Sequence, residues 1–212
     1  MIRHRRAGRA DLERVLDWAA AEGWNPGLTD AAAFQAADPE GFFLTEAEGE
    51  PVAAISVVNH GPAYAFLGLY LVRPEFRGRG IGHALWRHAI RHAGDRTIGL
   101  DAVPAQQANY AASGFVASTG TTRWVGRIAS TRAAGVRPVE AVEIPALVAW
   151  EGRASGCAKP AYMAPWLRGD AARRTSVVDR DGAIAGFATI RRCRTGARSG
   201  RWWRPISRRR RS

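Results

Sequence analysis

Leu12, Val15, Leu16 and Ala19 recur at steps of three and four, the spacing that puts side chains on one face of a helix, and Asp11 stands where that helix needs a cap. A short strand is expected before it. Gly23-Trp24-Asn25-Pro26-Gly27 breaks the period, and a second short helix is predicted over about Asp30 to Ala37, ending near Asp38-Pro39. The pattern then changes to strands. Phe42-Phe43-Leu44 is apolar, Glu46 to Glu50 is an acidic turn, and Val52 to Val58 is apolar and rich in β-branched residues, which together predict a hairpin. Ala63 to Val72 is a further strand, apolar enough to be central. Arg73 to Gly82 is a loop of glycine and arginine. His83 to His92 reads as a helix with Ala84, Leu85 and Ala89 on its apolar face and His83, Arg87 and Arg91 on another. Thr97 to Val103 is a strand, Gln106 to Ser113 a short helix ending at Gly114, and Phe115 to Val125 is extended. The order β-α-α-β-β-β-α-β-α-β predicts a mixed α/β (α+β) fold with a largely antiparallel front half.

A second region follows. Residues 128–140 form a Gly-, Ala- and Arg-rich linker, Val142 to Trp150 reads as a helix with Pro145 in its first turn, and another hairpin is predicted from Thr175 to Ile190 around Asp179-Arg180-Asp181-Gly182. This hairpin echoes the first one as a weak internal repeat. The expected organisation is therefore 1–127, a linker over 128–140, a smaller unit over 141–194 that is marginal for an independent core, and a tail over 195–212.

Composition narrows the class. The chain has 212 residues, 46% of them hydrophobic, with eight tryptophans, which is enough to build a core and excludes wholesale disorder. No apolar run approaches the roughly 18 residues that span a bilayer, and no signal peptide is visible behind Met1. A soluble cytoplasmic protein is expected. Two cysteines, Cys157 and Cys193, make no disulfide framework and lack metal-ligand spacing. The net charge is +12, but residues 191–212 hold ten arginines and no acid, whereas residues 1–190 carry 21 basic against 19 acidic side chains. The body is thus near neutral, which argues against nucleic acid as a partner of the body. The tail, with Trp202, Trp203 and Arg208 to Arg211, reads as a truncated or frameshifted end, as an arm for phosphates and bases, or as a solvated terminus.

The chemistry concentrates in Val72-Arg73-Pro74-Glu75-Phe76-Arg77-Gly78-Arg79-Gly80-Ile81-Gly82, between a hydrophobic strand and an amphipathic helix. Glycines at 78, 80 and 82 let backbone N–H groups converge, the helix N-terminus adds partial positive charge, and Arg77 and Arg79 add formal charge. The natural guest is a phosphate or pyrophosphate. The spacing Gly-x-Gly-x-Gly is not that of a dinucleotide fold, and no Gly-Lys-Ser/Thr follows.

The pattern Arg-x-x-Gly-x-Gly, met by Arg77, Gly80 and Gly82, resembles the acetyl-CoA signature of the GNAT superfamily of N-acetyltransferases. Asn109-Tyr110-Ala111-Ala112-Ser113-Gly114-Phe115 resembles its later motif, a tyrosine five residues before the Phe of a Gly-Phe pair. Gly-Trp-Asn-Pro, Asp-Pro-x-Gly-Phe-Phe and Ala-Gln-Gln-Ala-Asn-Tyr further resemble a bacterial subgroup with a second, smaller acetyltransferase-like unit, which is expected to be incomplete here. The resemblance implies a sheet whose central strands splay apart, acetyl-CoA as co-substrate and no metal. It implies pantetheine and thioester contacts from the backbone of Leu71 and Val72, and a pyrophosphate site at Arg77, Gly78, Arg79, Gly80, Ile81 and Gly82. Tyr110 becomes the candidate general acid, or a tyrosine packed under the sheet. Asn109 orients the co-substrate or caps its helix. The candidate base is Asp101 or Glu46, unless these are solvated carboxylates. Trp24 and Asn25 are expected at the acceptor site, where Trp24 could equally be a lid residue. The implied activity is acetyl transfer to a primary amine of a small molecule or peptide by direct attack. A degenerate acyl-CoA sensor and a tail-mediated nucleic-acid binder are the alternatives. The apolar strands of an incomplete second unit make pairing with another chain an expectation.

Overall fold

The computed structural model describes residues 1–129 and 134–200. Strand β1 (Ile2–Arg6) leads into helix α1 (Arg9–Ala21). Asp11 Oδ2 accepts the Gly8 N–H at 2.9 Å, so Asp11 closes a capping box from the third helical position and is not itself the cap. The predicted stripe Leu12, Val15, Leu16 and Ala19 is buried. Helix α2 (Asp30–Ala37) comes next, then strands β2 (Phe42–Ala47) and β3 (Glu50–Asn59). The two strands are joined by Glu48 and Gly49, both at positive φ (54° and 87°). Positive φ at both turn residues gives the twist that a tight hairpin needs. Strand β4 (Tyr64–Val72), helix α3 (Ile81–Ala89), strand β5 (Thr97–Leu100) and helix α4 (Gln107–Ala112) complete this half.

The first sheet runs β1-β2-β3-β4-β5, antiparallel except for the parallel β4–β5 pair. Alternation along the strands splits the core in two. Helices α1 and α2 cover one face over Phe42, Leu44, Ala54 and Leu71, while α3 covers the other over Phe43, Ile55, Val57 and Leu67. Leu44, Ile55 and Leu85 are almost fully buried, and truncating any of them to Ala costs about 2–5 kcal/mol. The inner face of α3 is Ile81, Leu85, Trp86 and Ala89; Ala84 falls outside the i, i+4, i+8 stripe of Ile81, Leu85 and Ala89 and points to solvent.

The second sheet holds β6 (Val136–Pro138), β7 (Arg173–Arg180), β8 (Ala183–Arg192) and β9 (Ala197–Ser199), in that order and antiparallel throughout. Helices α5 (Ile144–Ser155) and α6 (Pro160–Arg168) cover one face over Leu147, Leu167, Val177 and Phe187. Pro145 lies in the first turn of α5, where a missing N–H costs nothing.

Several local expectations change. Residues 115–125 form no strand; Val116, Trp124 and Val125 are at least 90% exposed. Strand β5 stops at Leu100 instead of Val103. Helix α6 is hidden in the sequence by Pro160 and Pro165, of which the first occupies a tolerated N-terminal position and the second sits inside the helix. Strand β6 falls in the stretch read as linker and β9 in the stretch read as tail. Both are too short to show a period and are defined by their pairing to β7 and β8. Trp202, Trp203 and Arg208 to Arg211 lie outside the described residues.

The two sheets are held together at Asp30. This carboxylate is 1% exposed and pairs with Arg173 at 3.1 Å and Arg191 at 2.7 Å, and both guanidiniums lie over the Trp166 ring. Gly27 donates its N–H to Asp30 Oδ2, and Leu28 donates to Arg192 O. A side chain at Gly27 would meet Asp30 Oδ1 at 2.5 Å, so this close approach requires glycine.

Candidate active site

The parallel pairing of β4 with β5 ends at Leu67↔Leu100. Beyond it the partner edge of β4 is open. At the same place β4 bulges: Leu71 faces Ala54 and Gly68 faces Ser56, so three steps on β4 match two on β3. Leu69 absorbs the extra residue at φ 47°, a conformation that non-glycine residues seldom adopt. Arg73 donates its N–H to Val52 O on the β3 side, so strand alternation turns the N–H and C=O of Val72 toward the open edge. Arg77 Nε holds that Val72 carbonyl at 2.9 Å. Leu71 is buried in the core.

The glycine loop continues from there. Gly78 and Gly80 have φ of 74° and 73°, and a side chain on either would meet nothing within 4 Å. Glycine is demanded at both by backbone conformation, and the space before them is open. Gly82 differs: a Cβ there would lie 2.8 Å from Tyr70 Oη and 3.0 Å from Val72 Cγ2, so it allows α3 to pack against β4. Among the described residues the N–H groups of Gly80, Ile81, Gly82 and His83 have no acceptor, as the start of a helix dictates. Arg77 is anchored to Glu22 as well as to Val72, while the Arg79 guanidinium lies over the Phe76 ring at 5.3 Å.

On the α3 side of the open edge lies a cavity of about 290 Å³ lined by Tyr70, His83, Trp86, Asn109, Tyr110 and Ser113. Tyr110 is packed between Trp86 and Phe115, with ring centroids at 5.8 and 6.0 Å. Burial raises the Tyr110 phenol above its ordinary range. Burial and, after it, the neighbouring Tyr110 push Tyr70 up to about 12. Both therefore stay protonated at neutral pH, able to donate. Asn109 Nδ2 donates to Gln106 Oε1 at 2.7 Å within its own helical turn. Tyr70 and His83 carry no motif that marks them for this place in the sequence; the signal for Tyr70 is its position two residues before Val72, on the same face of β4.

On the other side, between the two sheets, lies a larger cavity of about 680 Å³. Gly68 and Leu69 of the bulge line it, as does Asp101, the residue just past the last parallel pair. Phe34, Phe66, Tyr162 and Trp166 give it aromatic walls. His60 also lines it and is lowered to about 4, by burial first and by the Lys159 charge second. Glu46 is elsewhere, bound to Arg5 at 2.6 Å. Trp24 and Asn25 line neither cavity. Asn25 exchanges hydrogen bonds with Thr195, Arg198 donates to the carbonyls of Trp24 and Asn25, and the Trp24 ring packs on the α1–α2 core. The pair expected at the acceptor site clasps the second sheet to the first. Helix-surface histidines are likewise engaged locally, His88 against His4 and His92 with Asp38 at 2.7 Å. No group of three His, Cys, Asp or Glu suited to a metal occurs among the described residues, nor is any helix there long and apolar enough to cross a membrane.

An open strand edge, a glycine loop at a helix N-terminus and a cavity on each side together define the fold and the candidate site. The acetyltransferase (GNAT) family profile matches residues 9–120, and the chain belongs to this family. A holothin acyltransferase from Pseudoalteromonas is 38% identical over 196 residues, covering 92% of this chain; the chain spans 66% of that protein's length. An uncharacterised protein of Caenorhabditis elegans is 37% identical over 76 residues, 34% of this chain and 24% of the other. The crystal structure of a Pyrococcus horikoshii protein described as an acetyltransferase superposes with a TM-score of 0.68 at 19% identity, over 90% of this chain and 68% of that one, and shows the same fold.

Proposed function

We propose that this protein transfers an acetyl group from acetyl-CoA to a primary amine by direct attack. What carries this reading is the open edge of β4 beyond Leu67, with unpaired loop N–H groups and two protonated tyrosines on one side and a large cavity on the other. The amides of Gly80, Ile81 and Gly82, with Arg79 beside them, would take the pyrophosphate. Arg77, held by Val72 O and Glu22, would fix the loop more than touch the ligand. The backbone of Val72 would pair with the pantetheine arm. The amine enters from the larger cavity. Its nitrogen forms a bond to the acyl carbon, the C–S bond breaks, Tyr110 gives its proton to the departing thiolate, and Asp101, directly or through water, takes the proton from the amine. Asn109 positions the turn that carries Tyr110. The 1–127 stretch would hold the donor substrate, and the second sheet would complete the acceptor side.

Titration of the full chain with acetyl-CoA, followed by assay of free-thiol release against a panel of amines, tests this. Saturable binding in the micromolar range and amine-dependent release are expected. Binding without release over a broad panel would favour an acyl-CoA sensor, and absence of binding would overturn the assignment.

A further inference from the structure

The larger cavity has one wall that the first sheet does not supply. Helix α5 brings Glu151 to it, and the α5–α6 turn brings Lys159. Glu151 is 6% exposed, and its Oε1 pairs with Lys159 Nζ at 3.1 Å. Lys159 is otherwise satisfied, donating to Ser155 Oγ at 2.7 Å and to Cys157 O at 2.9 Å. Glu151 Oε2 is not: it is buried and meets no donor among the described residues. A buried acceptor left unmade costs about 1–3 kcal/mol, so a ligand donor that draws this carboxylate round into the cavity recovers that cost.

The charge of that donor is set by the surroundings. Lys159 already neutralises Glu151, and His60 is neutral at pH 7 because burial and Lys159 hold its proton affinity down. Asp101, at the open end beside the β4 bulge, is the remaining acidic group that lines the cavity. The far wall thus suits a neutral N–H or O–H, and the aromatic walls suit a flat apolar body. Resting on the proposed acyl transfer, we infer that Glu151 is a specificity-determining residue. It selects primary amines borne on a flat, uncharged ring system that carries a neutral hydrogen-bond donor at the end remote from the amine.

Three probes on one phenethylamine skeleton read this directly. Tyramine carries a neutral O–H donor on its ring, 4-methoxyphenethylamine an oxygen that cannot donate, and phenethylamine neither. With the full chain and saturating acetyl-CoA, kcat/KM for tyramine should exceed that for either of the others by about tenfold to a hundredfold, and spermidine should be at least about tenfold poorer than tyramine. In the double variant Glu151→Leu/Lys159→Met, which removes the pair without leaving one buried charge alone, the tyramine preference should fall to about one. Calorimetric titration of the same amines into the wild type measures the preference without turnover. It decides the matter if the variant does not fold or if no thiol is released. Selective binding without release would sink the transfer reaction and leave the role of Glu151 standing. Equal binding and equal kcat/KM for the three phenethylamines would overturn that role while leaving acyl transfer intact.

Discussion

Both sheets are built around the same hairpin. Glu48-Gly49 joins β2 to β3 and Asp181-Gly182 joins β7 to β8, each with positive φ at both turn residues, and each hairpin carries a register shift close to its turn. The two sheets differ in the strand that comes after the hairpin. In the first sheet the hairpin hands over to β4, whose next partner β5 arrives through a helix and pairs in parallel. Parallel partners joined by a crossover can twist apart, and here they part after four pairs, leaving backbone groups of β4 to meet a ligand. In the second sheet β8 is succeeded directly by β9, which returns antiparallel and pairs with Ile190 to Arg192, and among the described residues no glycine loop at a helix N-terminus follows the strand. Its helices cover one face and leave Val178 and Ile190 exposed on the other. On the proposed function, the open edge beside the glycine loop takes the donor substrate, and the second sheet, with helices on one face, supplies a wall for the acceptor.

The strongest way to break this arrangement is to separate the two parts. Asp30→Ala would leave the Arg173 guanidinium, 2% exposed, with Asp170 as its remaining carboxylate and would remove the carboxylate partner of Arg191, and should lower unfolding stability in urea by about 3–5 kcal/mol. A loss below about 1 kcal/mol would mean that the clasp is not what joins the sheets. Next in size, Tyr110→Phe should reduce turnover by about a hundredfold, the usual scale of a proton-transfer contribution, with acetyl-CoA affinity within about twofold of wild type. Equal losses in both would mark Tyr110 as packing only. The smallest effect concerns pH. His60 titrates at about 4 in the fold against an ordinary 6.5, so the unfolded chain binds the extra proton between those values. Its contribution is fully present above pH 6.5 and is lost as pH falls toward 4. His60→Phe should therefore flatten the decline in stability between pH 6.5 and 4.5, and an unchanged decline would remove His60 from the account.

The first sheet was largely legible in the sequence because its signals are local and redundant. Helix α2 matches its expected bounds, and the stripe Leu12, Val15, Leu16 and Ala19 is buried as spaced. The glycine loop was legible because positive φ at Gly78 and Gly80 leaves few other residues possible. What was hidden depends on contacts distant in sequence. Trp24 and Asn25 look like acceptor residues until Arg198 and Thr195 arrive, 174 and 170 residues later, to hold them. Glu151 looks like any helix glutamate until the fold sets it against Lys159 in the lining of the cavity between the sheets. Residues 115–125 have strand composition but no strand, since propensity without a pairing partner does not make a sheet.

The division of labour between the sheets is tested most directly by steady-state kinetics in both substrates for two variants side by side. Gly80→Ala forces a side chain into a left-handed backbone position at about 1–2 kcal/mol, and Cys157→Phe adds bulk at the second-sheet wall of the larger cavity, where Cys157 is half-buried. A crossed result is expected: Gly80→Ala should raise KM for acetyl-CoA by about tenfold with little change for the amine, and Cys157→Phe should do the reverse. If both variants raised the same KM, or if Cys157→Phe left amine KM untouched, the second sheet would not be part of the acceptor site.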